Sequence, residues 1–155
     1  MINEHDIPTL FVDADACPVK AEIVEIGKLF TVEIIFVASY AHMINDTFTQ
    51  NWVYVDNRKE EVDLYILNHV SHGDIVVTHD IGLASSLLVK EVHVLSPRGM
   101  LFEEKFISTA LHMRYLAAKA RRNGIYGKGP KRFNLQDRKR FKEQLIKILS
   151  ENEGF

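Results

Sequence analysis

A single cysteine, Cys17, stands in the whole chain, so no internal disulfide can hold the fold and a disulfide-dense secreted scaffold is excluded. No apolar run approaches the roughly 20 residues that span a membrane, and no leader-like segment is present. The expected location is the cytoplasm, with no membrane partner. Internal repeats and linker-like stretches are missing too, and 155 residues at 46% hydrophobic composition suit one domain with a full core. The expected organisation is a single domain over residues 1–155, with a homo-oligomer left open. Net charge is nearly absent at −2, but the average hides a split. Between Arg114 and Lys142 eleven Lys/Arg face one acid, Asp137, a local +10 that leaves −12 for the remainder.

What the chain does have is a short apolar run, Leu10 to Val12, that stops at two aspartates with one small residue between them. Side chains alternate along an extended chain, so Asp13 and Asp15 point to one side while Ala14 leaves room between them. Two like charges so close are costly unless a cation, a proton or water compensates. Pro18 suits the first position of a helix running from about Pro18 to Phe30, with Val19, Ile23, Ile26 and Phe30 at helical spacing.

Residues 32–39 form an almost continuous β-branched apolar run, the mark of a strand covered on both faces. A polar connection through Asn45 and Asp46 leads to a strand over 52–56 that ends in Asp56. A helix over 57–71 places Asp63 on one stripe with Ile66, Leu67 and Val70. Gly73 and Asp74 turn the chain into a four-residue strand, after which Asp80 precedes a helix from Gly82 to Lys90. A fifth strand covers 92–96 and Pro97-Arg98-Gly99 turns. Strands alternating with helices give an α/β fold with a mainly parallel sheet of about five strands.

The last third, about 103–155, reads as a basic helical segment. Its first helix, about 103–122, is expected to bury Phe106, Ile107, Ala110, Leu111 and Ala117. A positive, glycine-rich loop over 121–133 follows, and Asn134 caps a final helix with Phe141, Leu145, Ile148 and Leu149 inward. The GKGPK segment lacks the spacing and trailing Ser/Thr of a P-loop. Eleven nearly unopposed cations interleaved with Tyr126 and Phe133 favour a polyanion, single-stranded or structured RNA. The candidate contacts are Arg98, Arg121, Arg122, Lys128, Lys131 and Arg132.

In an open parallel sheet the ligand site lies at the carboxyl ends of the strands where the winding reverses. Asp13, Asp15 and Asp80 lie at such ends, and Asp63 can lean in from the helix before the fourth strand. Such oxygen donors suit Mg²⁺ or Mn²⁺ and the hydrolysis of a phosphodiester. Plainer readings have Asp15 and Asp80 only capping helix starts, Asp63 bonding a nearby backbone, and Arg98 pairing with a carboxylate. Asp74 belongs to a turn at the opposite sheet edge, and Asp56 is a minor candidate. Cys17 beside carboxylates reads as a small structural residue and His79 as structural. Two further readings stay open: a non-catalytic nucleic-acid-binding or ribosome-associated module, and a phosphatase with Asp13 as nucleophile of a D-x-D pair.

The motifs VDADACPVK, GDIVVTHDIGLA, SPRG and GPKRFNLQDRKRF together resemble the YaiI/YqxD family of uncharacterised bacterial proteins, whose domain is classed with PIN-like nucleases. The similarity runs from about Thr9 to Leu149. It implies a PIN-like three-layer fold and a metal-dependent ribonuclease site, with Asp13, Asp63 and Asp80 on the positions of the acids that bind divalent metal in PIN-type nucleases and Asp15 an extra acid at the same mouth.

Overall fold

The structure, a computed structural model, describes residues 7–42, 51–58, 60–129 and 131–153. The expected connection through Asn45 and Asp46 lies outside them. Five strands form one sheet: β1 (Thr9–Asp13), β2 (Glu33–Ser39), β3 (Asn51–Val55), β4 (Ile75–Val77) and β5 (His93–Leu95). Every pairing is parallel and the order is β3-β2-β1-β4-β5, so the winding reverses between β1 and β4. Val12 lies between Phe36 of β2 and Val77 of β4, which sets the register of the central strands.

The period of two along each strand divides the core into two faces. Leu10, Val12, Phe36 and Val77 face α1 (Lys20–Phe30) and α5 (Leu135–Glu153), where Ile23, Ile26, Phe141 and Leu145 are buried. Phe11, Val37 and Val76 face the other way, onto Val62 and Ile66 of α2 (Glu61–His69), Leu83 and Leu87 of α3 (Ile81–Val89), and Ile107 of α4 (Glu104–Arg122). Burying each such side chain contributes about 1.5–3 kcal/mol, which makes helix–sheet packing the main source of stability here. The three layers are consistent with the PIN-like arrangement expected above.

Element existence and order match the sequence reading, and the differences have local causes. Pro18 sits in a turn, and α1 begins at Lys20 behind Val19. The expected helix over 57–71 starts only at Glu61, because Glu60 adopts φ 76, and it ends at His69 where Val70 is extended. The larger correction concerns α4. Of the five residues expected on its buried side, Ile107 is buried, whereas Phe106, Leu111 and Ala117 are exposed and Ala110 is intermediate. The helix carries two adjacent apolar stripes, and only the edge holding Ile107 meets the core.

The turn after β5 fixes the start of the C-terminal packing. Gly99 has φ 88, and a Cβ there would stand 2.6 Å from the backbone of Arg140 and Phe141 in α5. Both the strained dihedral and the clash oppose a side chain. Gly99→Ala is therefore expected to lower stability by about 2–4 kcal/mol in urea unfolding, and a variant within about 0.5 kcal/mol of wild type would refute this account of the turn.

Candidate functional site

The alternation along β1 decides where its aspartates go. Phe11 packs toward α2 and α3, so Asp13, two residues on, projects to that same side at the carboxyl end of the sheet. Thr78, directly after the neighbouring strand β4, donates its hydroxyl to Asp13 Oδ2 at 2.9 Å and accepts from the Asp80 amide at 3.1 Å. One buried hydroxyl thus fixes Asp13 against the strand end that carries Asp80. Asp15 reaches across to β2, where the Ser39 amide and hydroxyl donate to its Oδ1 at 2.8 and 3.3 Å. The N-cap position of α1 is taken by Val19, so Asp15 does not occupy the place of a capping residue. For Asp80 the capping reading holds in part, since Oδ1 accepts from Leu83 N at 3.1 Å at the start of α3.

Asp63 lies in the first turn of α2 and completes the group. All four expected carboxylates line one cavity of about 660 Å³ at the winding reversal, together with Glu60 and two cations, Arg58 and Arg114. The crowding registers in the acidities of Asp13 and Asp63. Burial pushes the Asp13 carboxyl up, with the charges of Asp15 and Asp80 adding to it and the Thr78 hydrogen bond opposing it. Asp63 is pushed up to about 6, first by burial and then by Asp80, Asp13 and Glu60.

A raised carboxyl pKa means that the fold binds a proton the unfolded chain releases. The stability contributed is fully present below about pH 4 and is lost as pH rises to about 6, above which the deficit stays constant. Asp63→Asn should remove that deficit, a gain of about 1 kcal/mol at pH 7.5 once solvent screening of this half-exposed group is allowed for. Differential scanning calorimetry should show a melting temperature about 2–4 °C higher at pH 7.5 and little change at pH 4.5; the reverse dependence would exclude the crowding.

Thr78 and Ser39 went unread as site residues in the sequence, as did Arg58 and Arg114. Only Thr78 left a signal there, a polar residue closing an apolar strand two positions before an acid. Asp74 behaves as expected at the opposite edge, accepting from the amides of Thr9 at 2.9 Å and Ser71 at 2.8 Å. Asp56 follows the edge strand β3 and does not line the cavity. Cys17 is buried, and burial pushes its thiol up to about 11, which fits a structural small residue and disfavours a thiolate nucleophile. His79 lines a separate neighbouring cavity with Pro18, Phe133 and Arg140.

Of the cations singled out from the sequence, Arg121, Arg122, Lys128, Lys131 and Arg132 are exposed, and none lines the acidic cavity. Arg98 is engaged elsewhere: it donates to Asp137 Oδ2 at 2.9 Å and to the Lys131 carbonyl, and lies 5.8 Å from the centre of the Phe133 ring. It pairs with a carboxylate, but with that of the basic segment.

The donor set suits a hard cation. Among the described residues no three His, Cys, Asp or Glu side chains are grouped closely enough to hold one ion between them. A strongly hydrated ion such as Mg²⁺ asks for one or two direct carboxylates and keeps its waters, and the crowded acids of this cavity can supply those. In the described residues no helix is long and apolar enough to cross a membrane.

Comparison with known proteins bears on the whole of this arrangement. No solved structure matches the chain. A UPF0178 protein of Bacillus velezensis is 53% identical over 99% of this chain and 92% of its own length. Relatives from Bacillus cytotoxicus, 52% identical over 97% of this chain and 98% of the relative's own length, and from Listeria monocytogenes, 49% identical over 92% of this chain and 96% of the relative's own length, carry the same family designation. The family model described as "Uncharacterized BCR, YaiI/YqxD family" matches residues 11–151, a span from the middle of β1 into the last helix, and the chain belongs to that family.

Proposed function

We propose that the chain is a divalent-metal-dependent nuclease that hydrolyses RNA phosphodiester bonds in the cytoplasm. The observation that carries this reading is the gathering of Asp13, Asp15, Asp63 and Asp80 on one cavity at the winding reversal, with two of them driven toward protonation by burial and mutual charge. Mg²⁺ or Mn²⁺ held by these carboxylates would lower the pKa of a bound water and shield the phosphate. Thr78 holds the Asp13 carboxylate in place for that task. Asp80 commits Oδ1 to the Leu83 amide, which fixes the orientation of its other oxygen. Arg58 and Arg114 at the cavity wall offer positive charge to a phosphate, and the exposed cations of residues 121–132 steer the polyanion. Arg98 serves by holding the loop that presents those cations.

Incubation with labelled single-stranded RNA, with Mn²⁺ or Mg²⁺ and then with chelator, tests the proposal. Cleavage that depends on the ion supports it; cleavage indifferent to chelator defeats it.

A second reading, a non-catalytic nucleic-acid-binding or ribosome-associated module, is favoured by one observation: the exposed cations stand apart from the acidic cavity. It expects salt-dependent RNA binding that Mn²⁺ does not alter, and no heat on calorimetric titration with Mn²⁺. The phosphatase reading gains nothing from the fold, because both oxygens of Asp74 are occupied by backbone amides at the far edge of the sheet.

A further inference from the structure

A second cavity, of about 610 Å³, lies beside the carboxylate cavity at the ends of β1 and β4. The alternation of side chains divides the two. After β4, Thr78 bonds Asp13 and Asp80 lines the acidic cavity, whereas His79 and Ile81 line the second. After β1, Asp13 and Asp15 line the first and Ala16 and Pro18 the second. The same two stretches of chain therefore wall both cavities. Burial raises the Asp13 and Asp63 carboxyls, and His79 is near enough for its charge to oppose that rise at each of them.

The second cavity differs in chemistry from the first. Pro18, Ile81, Pro97, Met100, Phe102 and Phe133 make its wall largely apolar. Ser96, also on the wall, is only 6% exposed; its Oγ accepts from the Met100 amide at 3.0 Å, and its hydroxyl proton has no acceptor among the described residues. Arg98 is pinned in its own plane, with one nitrogen on Asp137 Oδ2 and another on the Lys131 carbonyl. A guanidinium held by its edges keeps its flat faces for stacking. Arg140 adds a second cation, against Asp137 as the one acid among the described lining residues.

We propose that this cavity receives one unpaired base of an RNA strand whose phosphate is held at the neighbouring carboxylates. The inference rests on the nuclease reading above for the polymer and adds where its base goes. Proteins hold single-stranded bases with apolar or guanidinium surfaces for the ring and a few polar groups for its edge, the combination assembled here. An aliphatic side chain of a peptide would leave the buried Ser96 proton without an acceptor, whereas every base carries acceptors on its edge. Charge agrees with this occupant, since Arg98 and Arg140 attract the phosphates that flank the base. The volume admits a purine or a pyrimidine, so the cavity orients the strand without selecting one base.

Methyl NMR of the full chain in chelator tests the cavity apart from cleavage. Adenosine and uridine 5′-monophosphates should shift the Met100 ε-methyl signal and leave that of Met113 on α4 in place, while ribose 5-phosphate should need a concentration ~10-fold higher or more. Ala16→Trp, which fills the cavity from an exposed position, should weaken nucleotide binding ~10-fold. Equal titration by ribose 5-phosphate reduces the cavity to a phosphate contact and overturns the proposal, as does an unmoved Met100 signal in the wild-type chain. With labelled RNA and Mn²⁺, an abasic residue on one side of the cut bond should lower kcat/KM ~10-fold or more. Ion-dependent cleavage indifferent to abasic residues on both sides overturns the base subsite and leaves the nuclease reading standing; a shifted Met100 signal without ion-dependent cleavage supports a base site and defeats the nuclease reading.

Discussion

Asp13→Asn should abolish metal-dependent RNA cleavage, a loss of at least ~10²-fold in kcat/KM, while raising the melting temperature at neutral pH. Even outer partners of metal sites are worth 10–100-fold in affinity or activity, and Asp13 sits deeper than any such partner, at the end of the central strand. Asparagine keeps the shape and can still accept the Thr78 hydroxyl, so the substitution removes charge and little else. The same charge is what burial and the neighbouring Asp15 and Asp80 resist, so its removal relieves the fold. Opposed changes in activity and stability are the signature of a group placed for function against the preference of its surroundings. Asp74→Asn is the control: it weakens amide contacts at the far edge of the sheet and should leave cleavage unchanged. Retained cleavage in Asp13→Asn, or a lowered melting temperature, would remove Asp13 from the site.

The second large effect concerns Asp137, the lone acid between Arg114 and Lys142. Its carboxylate accepts from Arg98 at 2.9 Å, from Asn134 N at 3.1 Å and from Arg140 at 3.3 Å, and its own amide donates to Asn134 Oδ1 at 2.9 Å. That reciprocal exchange with Asn134 is a capping box, here combined with two ion pairs, one of them to the turn after β5. Asp137→Ala strands a partly buried guanidinium and uncaps α5 together. A cost of about 3 kcal/mol follows, seen as a fall of roughly 6–12 °C in melting temperature. Asp137→Asn, which keeps an acceptor for the cap, should cost less than the alanine variant. A melting temperature within about 2 °C of wild type for Asp137→Ala would show that α5 is anchored by its apolar face alone.

Much of the fold is legible because its cause is local. β-branched runs such as VEIIFVAS announce buried strands, and acids that follow such runs announce where the strands end. The convergence of Asp13, Asp63 and Asp80 was legible only conditionally, on β1 and β4 being neighbours, and that pairing joins residues 65 apart. Ser39, Arg58 and Arg114 could not be read at all, since each enters the site through tertiary placement. Arg98 shows the same limit in reverse, its charge being consumed by an acid 39 residues later. Helix α4 misled for another reason: periodicity reveals that a face is apolar and says nothing of what covers it.

The strand order also fixes how the chain must assemble as it is made. β1 leaves the ribosome first, yet its partner β4 follows more than 60 residues later, and of the two helices that cover their shared face α5 comes last of all. Until residues 135–149 have emerged, Leu10, Val12, Ile75 and Val77 have no cover from Phe141, Leu145 and Leu149. A nascent chain halted in the basic loop would expose an apolar sheet face, a substrate for chaperones and proteases instead of a protein with a working cavity. Synthesis of the final helix is therefore the step that closes this face of the sheet.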